Sequence, residues 1–217
     1  MKFFSIKPYP KQTRREEVAN AISHGIGVAA SIAAAPFLIA YVVNRGDALT
    51  VAGVTVFIVT AILLYLSSTL FHGLPDGKAK DVFQVIDHIA IFLLIAGTYT
   101  PFTVGILKGS FGWTLLAIIW GVAVGGITLK IVTGNTHMKL YVTLYLLMGW
   151  MIFIAIKPLI ATMELPGLIW IAAGGAAYTL GVIFYALPRR YYSHFIWHLF
   201  VLAGTFSHFI AVMFYSY

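Results

Sequence analysis

Cysteine is absent from this sequence, and charged side chains are scarce, at 10% of 217 residues. Without cysteine the chain can form neither a disulfide framework nor a thiolate metal site, so any metal would need histidine, aspartate or glutamate ligands. No glycine-rich phosphate loop, nucleic-acid-binding motif or low-complexity tract occurs either. What the chain has in abundance is apolar side chains, which make up 60% of its residues. This balance is typical of an integral membrane protein.

Seven apolar runs are each long enough, at about 20 residues, to cross a bilayer as an α-helix. Short connections that carry glycine, proline and charged residues separate them. The sequence therefore predicts an all-α, seven-transmembrane helix bundle over residues 19–217, after a basic cytoplasmic N-terminal segment over residues 1–18. It leaves no room for a further domain. The predicted spans are 20–43, 51–72, 84–107, 113–133, 140–157, 167–187 and 194–215.

Lysine and arginine are distributed unequally between the two sides of the predicted bundle. Eleven lie in the N-terminal segment and the second, fourth and sixth connections, and three lie on the other side. By the positive-inside rule, the N-terminus is cytoplasmic and the C-terminus lies outside. The bias also explains the net charge of +7 without a nucleic-acid partner. The eleven are Lys2, Lys7, Lys11, Arg14, Arg15, Lys78, Lys80, Lys130, Lys139, Arg189 and Arg190, and the three are Arg45, Lys108 and Lys157.

Several ionisable side chains fall at the same depth, near the cytoplasmic ends of these spans. His194 and His198 are spaced i, i+4 and share one helical face, and His72, on another helix, could complete three nitrogen ligands. Three protein ligands with a fourth position left for water are the arrangement of a catalytic zinc site. Asp87 is placed to orient that water or to act as general base, and Ser68, one turn from His72, to hydrogen-bond nearby. The pattern predicts a zinc site near the cytoplasmic side.

The same histidines have a plainer interpretation, because polar rings in membrane helices also serve as interhelical hydrogen-bonding groups. The histidines and Asp87 lie at a common depth, which favours the interpretation as a metal site, since ionisable residues inside a membrane are rare and usually functional. At the inner end of the first span, His24, Asn20 and Ser23 could support the ligands or bond a neighbouring helix.

The remaining histidines are expected to stay outside the metal site. His88 is rotated by about 100° from Asp87 on a helix, so the two cannot face one point. His137 lies in a connection and is expected to be solvated. His208 lies ten residues beyond His198, about 15 Å along the helix, too far to share one ion. It is expected to be a buried structural histidine or to line a lipid path.

At these residues the chain resembles the hemolysin III family of bacterial membrane proteins and, through it, the progestin and adipoQ receptor (PAQR) superfamily. The likeness runs nearly end to end. It rests on "EEVANAISHGIG" in the first span, S-x-x-x-H at Ser68 and His72, Asp87 within "QVIDHIAIFLLIAGTYTPF", and H-x-x-x-H at His194 and His198. It implies a seven-helix fold with a cytoplasmic N-terminus, and zinc held by the three motif histidines. It also implies that Asp87 contacts the zinc-bound water and that Ser68 lies close by.

The resemblance leaves three functions open. The superfamily is similar to alkaline ceramidases, which implies a zinc-dependent hydrolase of an amide or ester bond in a membrane lipid, working in the cell membrane. The name of the bacterial family implies instead a cytolysin that forms pores, with zinc stapling helices together. A third function is a membrane sensor or regulator in which structural zinc holds a conformation and no bond is broken. Membrane lipids are the expected partners in each case, and the oligomeric state stays open.

Overall fold

The structure, a computed structural model, describes residues 12–187 and 190–217. Within these ranges the chain forms eight α-helices, one short 3-10 helix and no strand. The α-helices are α1 (Arg14–Val43), α2 (Ala48–Gly73), α3 (Lys78–Val104), α4 (Ser110–Thr133), α5 (Met138–Trp150), α6 (Ile156–Thr162), α7 (Leu165–Tyr185) and α8 (Ser193–Tyr215), and the 3-10 helix, Met151–Ala155, joins α5 to α6.

Among the described residues, seven helical segments are long and apolar enough to cross a membrane, which confirms the predicted seven-helix fold. Helices α1 to α4, α7 and α8 each form one span, and α5, the 3-10 helix and α6 together form the fifth span, Met138–Thr162. The orientation stays a prediction. Four of the cations on which it rests, Lys2, Lys7, Lys11 and Arg189, lie outside the described residues.

Helix α1 begins at Arg14, earlier than the predicted start at residue 20. Its N-cap is Thr13, whose hydroxyl accepts a hydrogen bond from the Glu16 backbone N–H at 3.3 Å, while Glu16 Oε2 accepts one from the Thr13 backbone N–H at 2.9 Å. This reciprocal capping box satisfies two backbone donors that a helix start leaves without partners. The early start places Glu16 and Glu17 on the helix, where they reach neighbouring elements.

The fifth span is broken, although the sequence predicted one continuous helix over 140–157. Pro158 has no N–H to donate back along the helix, and the chain passes through the 3-10 turns of Met151–Ala155 just before it. Tyr99 of α3 compensates in part, because its hydroxyl lies 3.0 Å from the Met148 carbonyl oxygen and 2.8 Å from that of Gly149. The break leaves this span less regular than the others.

Helices α2 and α3 pack along each other at the centre of the bundle, with α1 and α8 beside them. Gly27 allows α1 to approach closely, since a β-carbon there would lie 2.9 Å from both Tyr65 Cγ and Leu202 Cδ2. This approach is what brings the polar ends of α1, α2 and α8 together. On the outer surface, Phe37 and Val132 are more than 70% exposed, as suits side chains that face lipid.

Candidate metal centre

The structure brings together the three histidines that the sequence predicted as ligands. One ring nitrogen from each of His72, His194 and His198 lies within 4.8 Å of the other two. The ring centroids of His72 are 5.0 Å from those of His194 and His198, and the latter two are 4.7 Å apart. His72 lies in the last turn of α2, and the other two lie in the first turns of α8. This arrangement could hold a metal ion.

The orientation of the His72 ring is fixed by a carboxylate from α1. Nδ1 of His72 lies 2.7 Å from Glu17 Oε2. An ionised carboxylate only accepts hydrogen bonds, so Nδ1 carries the hydrogen and Nε2 carries the lone pair. That Nε2 is buried and has no hydrogen-bond partner among the described residues. A buried polar atom without a partner is costly, and binding a metal ion would satisfy it.

The ring of His198 is oriented in the same way, but by uncharged groups of α1. Its Nδ1 lies 3.1 Å from Ser23 Oγ and 3.3 Å from the Asn20 carbonyl oxygen. Because the Ser23 hydroxyl donates its own hydrogen to the Asn20 carbonyl at 2.8 Å, Oγ is left to accept. Nδ1 of His198 therefore donates, and Nε2 offers its lone pair.

These residues fit a transition-metal ion. Neutral imidazoles suit zinc and similar metals, whereas magnesium and calcium prefer oxygen ligands. A hydrogen bond from the second ring nitrogen to a carboxylate or carbonyl is the usual support of a metal-bound histidine. His72 and His198 both have such a bond.

His24 supports the cluster by stacking. Its ring lies parallel to that of His198, with centroids 3.6 Å apart and planes 5° from parallel. It also meets the Tyr65 ring in a T-shaped contact, with centroids 5.1 Å apart. Both nitrogens of His24 are buried and have no hydrogen-bond partner among the described residues. The contact restrains the ring plane of His198.

A cavity of about 490 Å³ extends from the cluster into the bundle. His194, His198, Asp87 and Ser68 all line it, so the two residues predicted to assist the chemistry share one space with two of the proposed ligands. Both Asp87 and Ser68 are buried, and the Ser68 hydroxyl has no hydrogen-bond partner among the described residues. The rest of the wall is mainly apolar, and includes Leu94, Phe102, Leu146, Leu168 and Ile171.

On one side the cavity reaches the outer surface of the bundle. Trp150, Phe153 and Ile160 of the fifth span line it and are also 41%, 61% and 61% exposed. Ala172 of α7 also lines the cavity and is exposed. We call this line of contact between the fifth span and α7 the seam, and name it by Trp150, Phe153, Ile160 and Ala172.

The other histidines lie outside the three-histidine cluster. His88 lines the cavity together with Asp87 but is not among the clustered histidines. His137 is exposed, as expected. His208 also lines the cavity, and its Nε2 donates to the Ile171 carbonyl oxygen at 3.3 Å. Its ring lies 5.6 Å from that of Tyr178.

Lys130 was predicted to lie in a connection between spans, whereas it is completely buried at the end of α4. Its Nζ donates to Asn135 Oδ1 at 2.6 Å, and Asn135 Nδ2 donates in turn to Gln84 Oε1 at 2.6 Å. We call Lys130, Asn135 and Gln84 the lysine network. A single lysine in an apolar run does not reveal partners that come from another helix and a loop.

Sequence reasoning also left Glu17 out of the candidate site. A signal for it exists: Glu17, Asn20 and His24 are spaced i, i+3, i+7 and share one face of α1. That face is the one that meets the cluster.

Known proteins resemble this chain over most of its length. Residues 12–209 match the haemolysin-III related family. The chain is 48% identical over 203 residues to the hemolysin-3 homolog of Bacillus subtilis (strain 168), covering 94% of this chain and 95% of that protein. It is 47% identical over 201 residues to hemolysin-3 of Bacillus cereus, covering 93% and 92%.

A more distant similarity reaches mammals. The chain is 29% identical over 167 residues to the human monocyte to macrophage differentiation factor, a PAQR protein, covering 71% of this chain and 66% of that one. The described residues form seven apolar helices of membrane-spanning length, and the family match extends over nearly all of them. The chain therefore belongs to the hemolysin III family of multi-pass membrane proteins.

Proposed function

We propose that this protein is a zinc-dependent hydrolase that cleaves an amide or ester bond of a membrane lipid. The observation that carries the proposal is the meeting of three imidazoles, a buried carboxyl group and a largely apolar cavity. The cavity can take an apolar chain while the polar groups at its end act on the bond next to it. Each of these parts would be needed for lipid hydrolysis, and together they favour it over a purely structural metal site.

His72, His194 and His198 would hold the zinc ion through one nitrogen each, as their mutual distances allow. A zinc ion in such a site supplies Lewis-acid chemistry, polarising a carbonyl oxygen and making water a better nucleophile near neutral pH. The contacts of Glu17 with His72, and of Ser23 with His198, keep the two rings in the orientation that this requires.

Asp87 is the candidate general base. Its carboxylate would take the proton that water loses as its oxygen attacks the carbonyl carbon, and would return it to the departing nitrogen or oxygen. Its position supports this role, since Asp87 is buried and lines the same cavity as His194, His198 and Ser68. Ser68, which lacks a fixed hydrogen-bond partner among the described residues, can bond the substrate carbonyl or the water.

The cavity suits a substrate that arrives from the bilayer. Its wall is apolar over most of its extent, and at the seam it meets the lipid-facing surface. A lipid could therefore enter sideways without passing through water. The excess of lysine and arginine at the N-terminal side supports a site near the cytoplasmic leaflet.

The test is a search for lipids that the protein consumes. Purified protein is loaded with zinc, incubated with vesicles of a bacterial polar lipid extract supplemented with ceramide, and the lipids are followed by mass spectrometry. A lipid lost with wild type, but not with Asp87→Asn, supports the proposal. His137→Ala, which changes an exposed histidine, is the matched control and should behave as wild type. Lipid profiles that stay unchanged with zinc-loaded wild type would contradict it.

A second candidate is pore formation, which the names of the two Bacillus relatives favour. Dye release from liposomes separates the two functions. Leakage that is equal for wild type and Asp87→Asn would favour a pore that does not depend on the chemistry of the site. Leakage that appears only together with lipid cleavage would favour the hydrolase.

A further inference from the structure

Glu17 connects three helices at the end of the bundle where the histidines lie. Its Oε2 is 2.7 Å from His72 Nδ1 at the end of α2, and its Oε1 is 3.0 Å from Lys80 Nζ at the start of α3. The His72 side chain is only 1% exposed and that of Glu17 is 18% exposed. A hydrogen bond from an imidazole N–H to a carboxylate is charge-assisted and therefore stronger than one between neutral groups.

Lys80 holds the carboxylate in place. Besides Glu17, its Nζ donates to the carbonyl oxygens of Phe71 at 3.0 Å and Leu74 at 3.3 Å. These carbonyls belong to the end of α2, where no helical partner remains for them. A lysine ammonium has three hydrogens, so its three donors match these three acceptors. Lys80 thus binds the backbone on both sides of His72 and also the carboxylate that contacts the His72 ring.

We propose that Glu17 is a positioning residue of the metal centre, acting through His72. Its carboxylate keeps the hydrogen on Nδ1 and turns Nε2 towards His194 and His198, and a carboxylate bonded to a ligating imidazole also makes that ring a stronger donor. This inference rests on the proposed zinc site and deepens it by naming a residue that sets its affinity. Glu17 touches neither the substrate cavity nor the reacting atoms, so it is not a catalytic residue.

The neighbouring Glu16 provides a matched control. Its Oε2 accepts from Thr13, and its Oε1 accepts from the backbone N–H of Tyr192 at 2.9 Å. Within the described part of the chain, no hydrogen bond joins Glu16 to a histidine ring. A change of Glu16 to glutamine therefore removes the same charge from the same turn without touching a ligand.

The first measurement is the zinc affinity of purified full-length protein, from competition with a chelator. We expect Glu17→Gln, which keeps an acceptor but loses the charge, to weaken zinc binding about 10-fold, and Glu17→Ala to weaken it about 100-fold, the range for a bonded partner of a metal ligand. Glu16→Gln should change it by less than about fivefold, because the amide oxygen can still accept a hydrogen bond and no candidate ligand loses a partner. Lys80→Met should weaken binding less than Glu17→Ala and offers a second variant if the alanine protein folds poorly.

The second measurement asks whether Glu17 acts through His72. On a His72→Ala background, where His194 and His198 retain weaker binding, Glu17→Gln should cause no further loss of affinity. The inference is overturned if the two losses add in full, or if Glu17→Gln binds zinc as wild type does. Wild type that binds no zinc would overturn this inference and the proposed function together. Zinc-binding wild type with an unaffected Glu17→Gln would overturn this inference alone.

Discussion

The histidine end of the bundle and the seam are built on different principles. At the histidine end, two of the three candidate ligands have a hydrogen-bond partner on α1, and the rings are packed against one another. Along the seam, the fifth span is broken by 3-10 turns and presents large exposed apolar side chains. Under the proposed function, the histidine end would hold the metal ion and the seam would control lipid entry. Substitutions in the two regions should therefore change different properties.

The largest effect is expected at the ligands. His194→Ala removes one of three donors from the cluster, so zinc affinity should fall by more than the 10- to 100-fold that loss of a ligand's hydrogen-bond partner costs. Lipid hydrolysis should fall with it. Isothermal titration with zinc checks the first, and lipid mass spectrometry the second. The exposed His137→Ala control should keep the wild-type zinc affinity. If His194→Ala keeps it too, His194 is not a ligand.

The lysine network offers a test of stability in the helical bundle away from the seam. Asn135→Ala leaves the buried Lys130 ammonium with only the weak Met138 sulfur acceptor, at 3.5 Å. It should cost about 2–3 kcal/mol, as for a hydrogen bond to a charged group. Lys130→Met removes the charge itself and should cost less, about 1–2 kcal/mol, because only the uncharged Asn135 loses a partner. Unfolding in detergent, with the exposed Lys139→Met as control, measures both. Equal stability of Asn135→Ala and wild type would show that the network is not structural.

At the seam, the expected change is in substrate entry and not in metal binding. Ala172→Trp places a large ring where the cavity meets the surface. Hydrolysis of a vesicle lipid should fall several-fold, while zinc affinity stays within the error of the titration. A loss of zinc in this variant would mean that the two regions are not independent. Unchanged hydrolysis would mean that lipid enters elsewhere.

The smallest effect is expected at Ser23. In Ser23→Ala the His198 Nδ1–H keeps the Asn20 carbonyl oxygen as an acceptor. The loss of zinc-binding free energy should therefore lie at the lower end of the range for one hydrogen bond, about 0.5–1.5 kcal/mol. This corresponds to a zinc affinity that is about two- to threefold weaker. Ser23→Thr keeps the hydroxyl and should restore the wild-type value. A loss in Ser23→Ala as large as in Glu17→Ala would mean that an uncharged partner matters as much as the carboxylate.

Most of the fold follows from the sequence because the bilayer imposes a length on each apolar run. All seven spans were predicted, with boundaries that differ from those of the structure by up to six residues. What the sequence could not predict was the break in the fifth span. Its apolar run continues through Met151–Ala155 without a polar residue, and the turn there depends on Pro158 together with the Tyr99 hydroxyl of another helix.

The candidate ligands could be predicted because two of them share one face of one helix and the third lies at the end of a span at the same depth. Their supporting contacts were harder to foresee. Glu17 lies in a turn that the sequence assigned to the N-terminal segment, and Lys130 was counted as a charge outside the membrane. In both cases the role depends on partners from distant parts of the chain, such as His72 for Glu17 and Gln84, through Asn135, for Lys130.

Zinc-edge X-ray absorption spectroscopy of the purified, zinc-loaded protein tests the central claim most directly. If His72, His194 and His198 hold the ion, the spectrum should show nitrogen or oxygen neighbours at about 2.0–2.1 Å with the outer-shell pattern of imidazole rings. His72→Ala should reduce the imidazole contribution. Wild-type protein that retains no zinc, or zinc whose neighbours include no imidazole, would contradict the account.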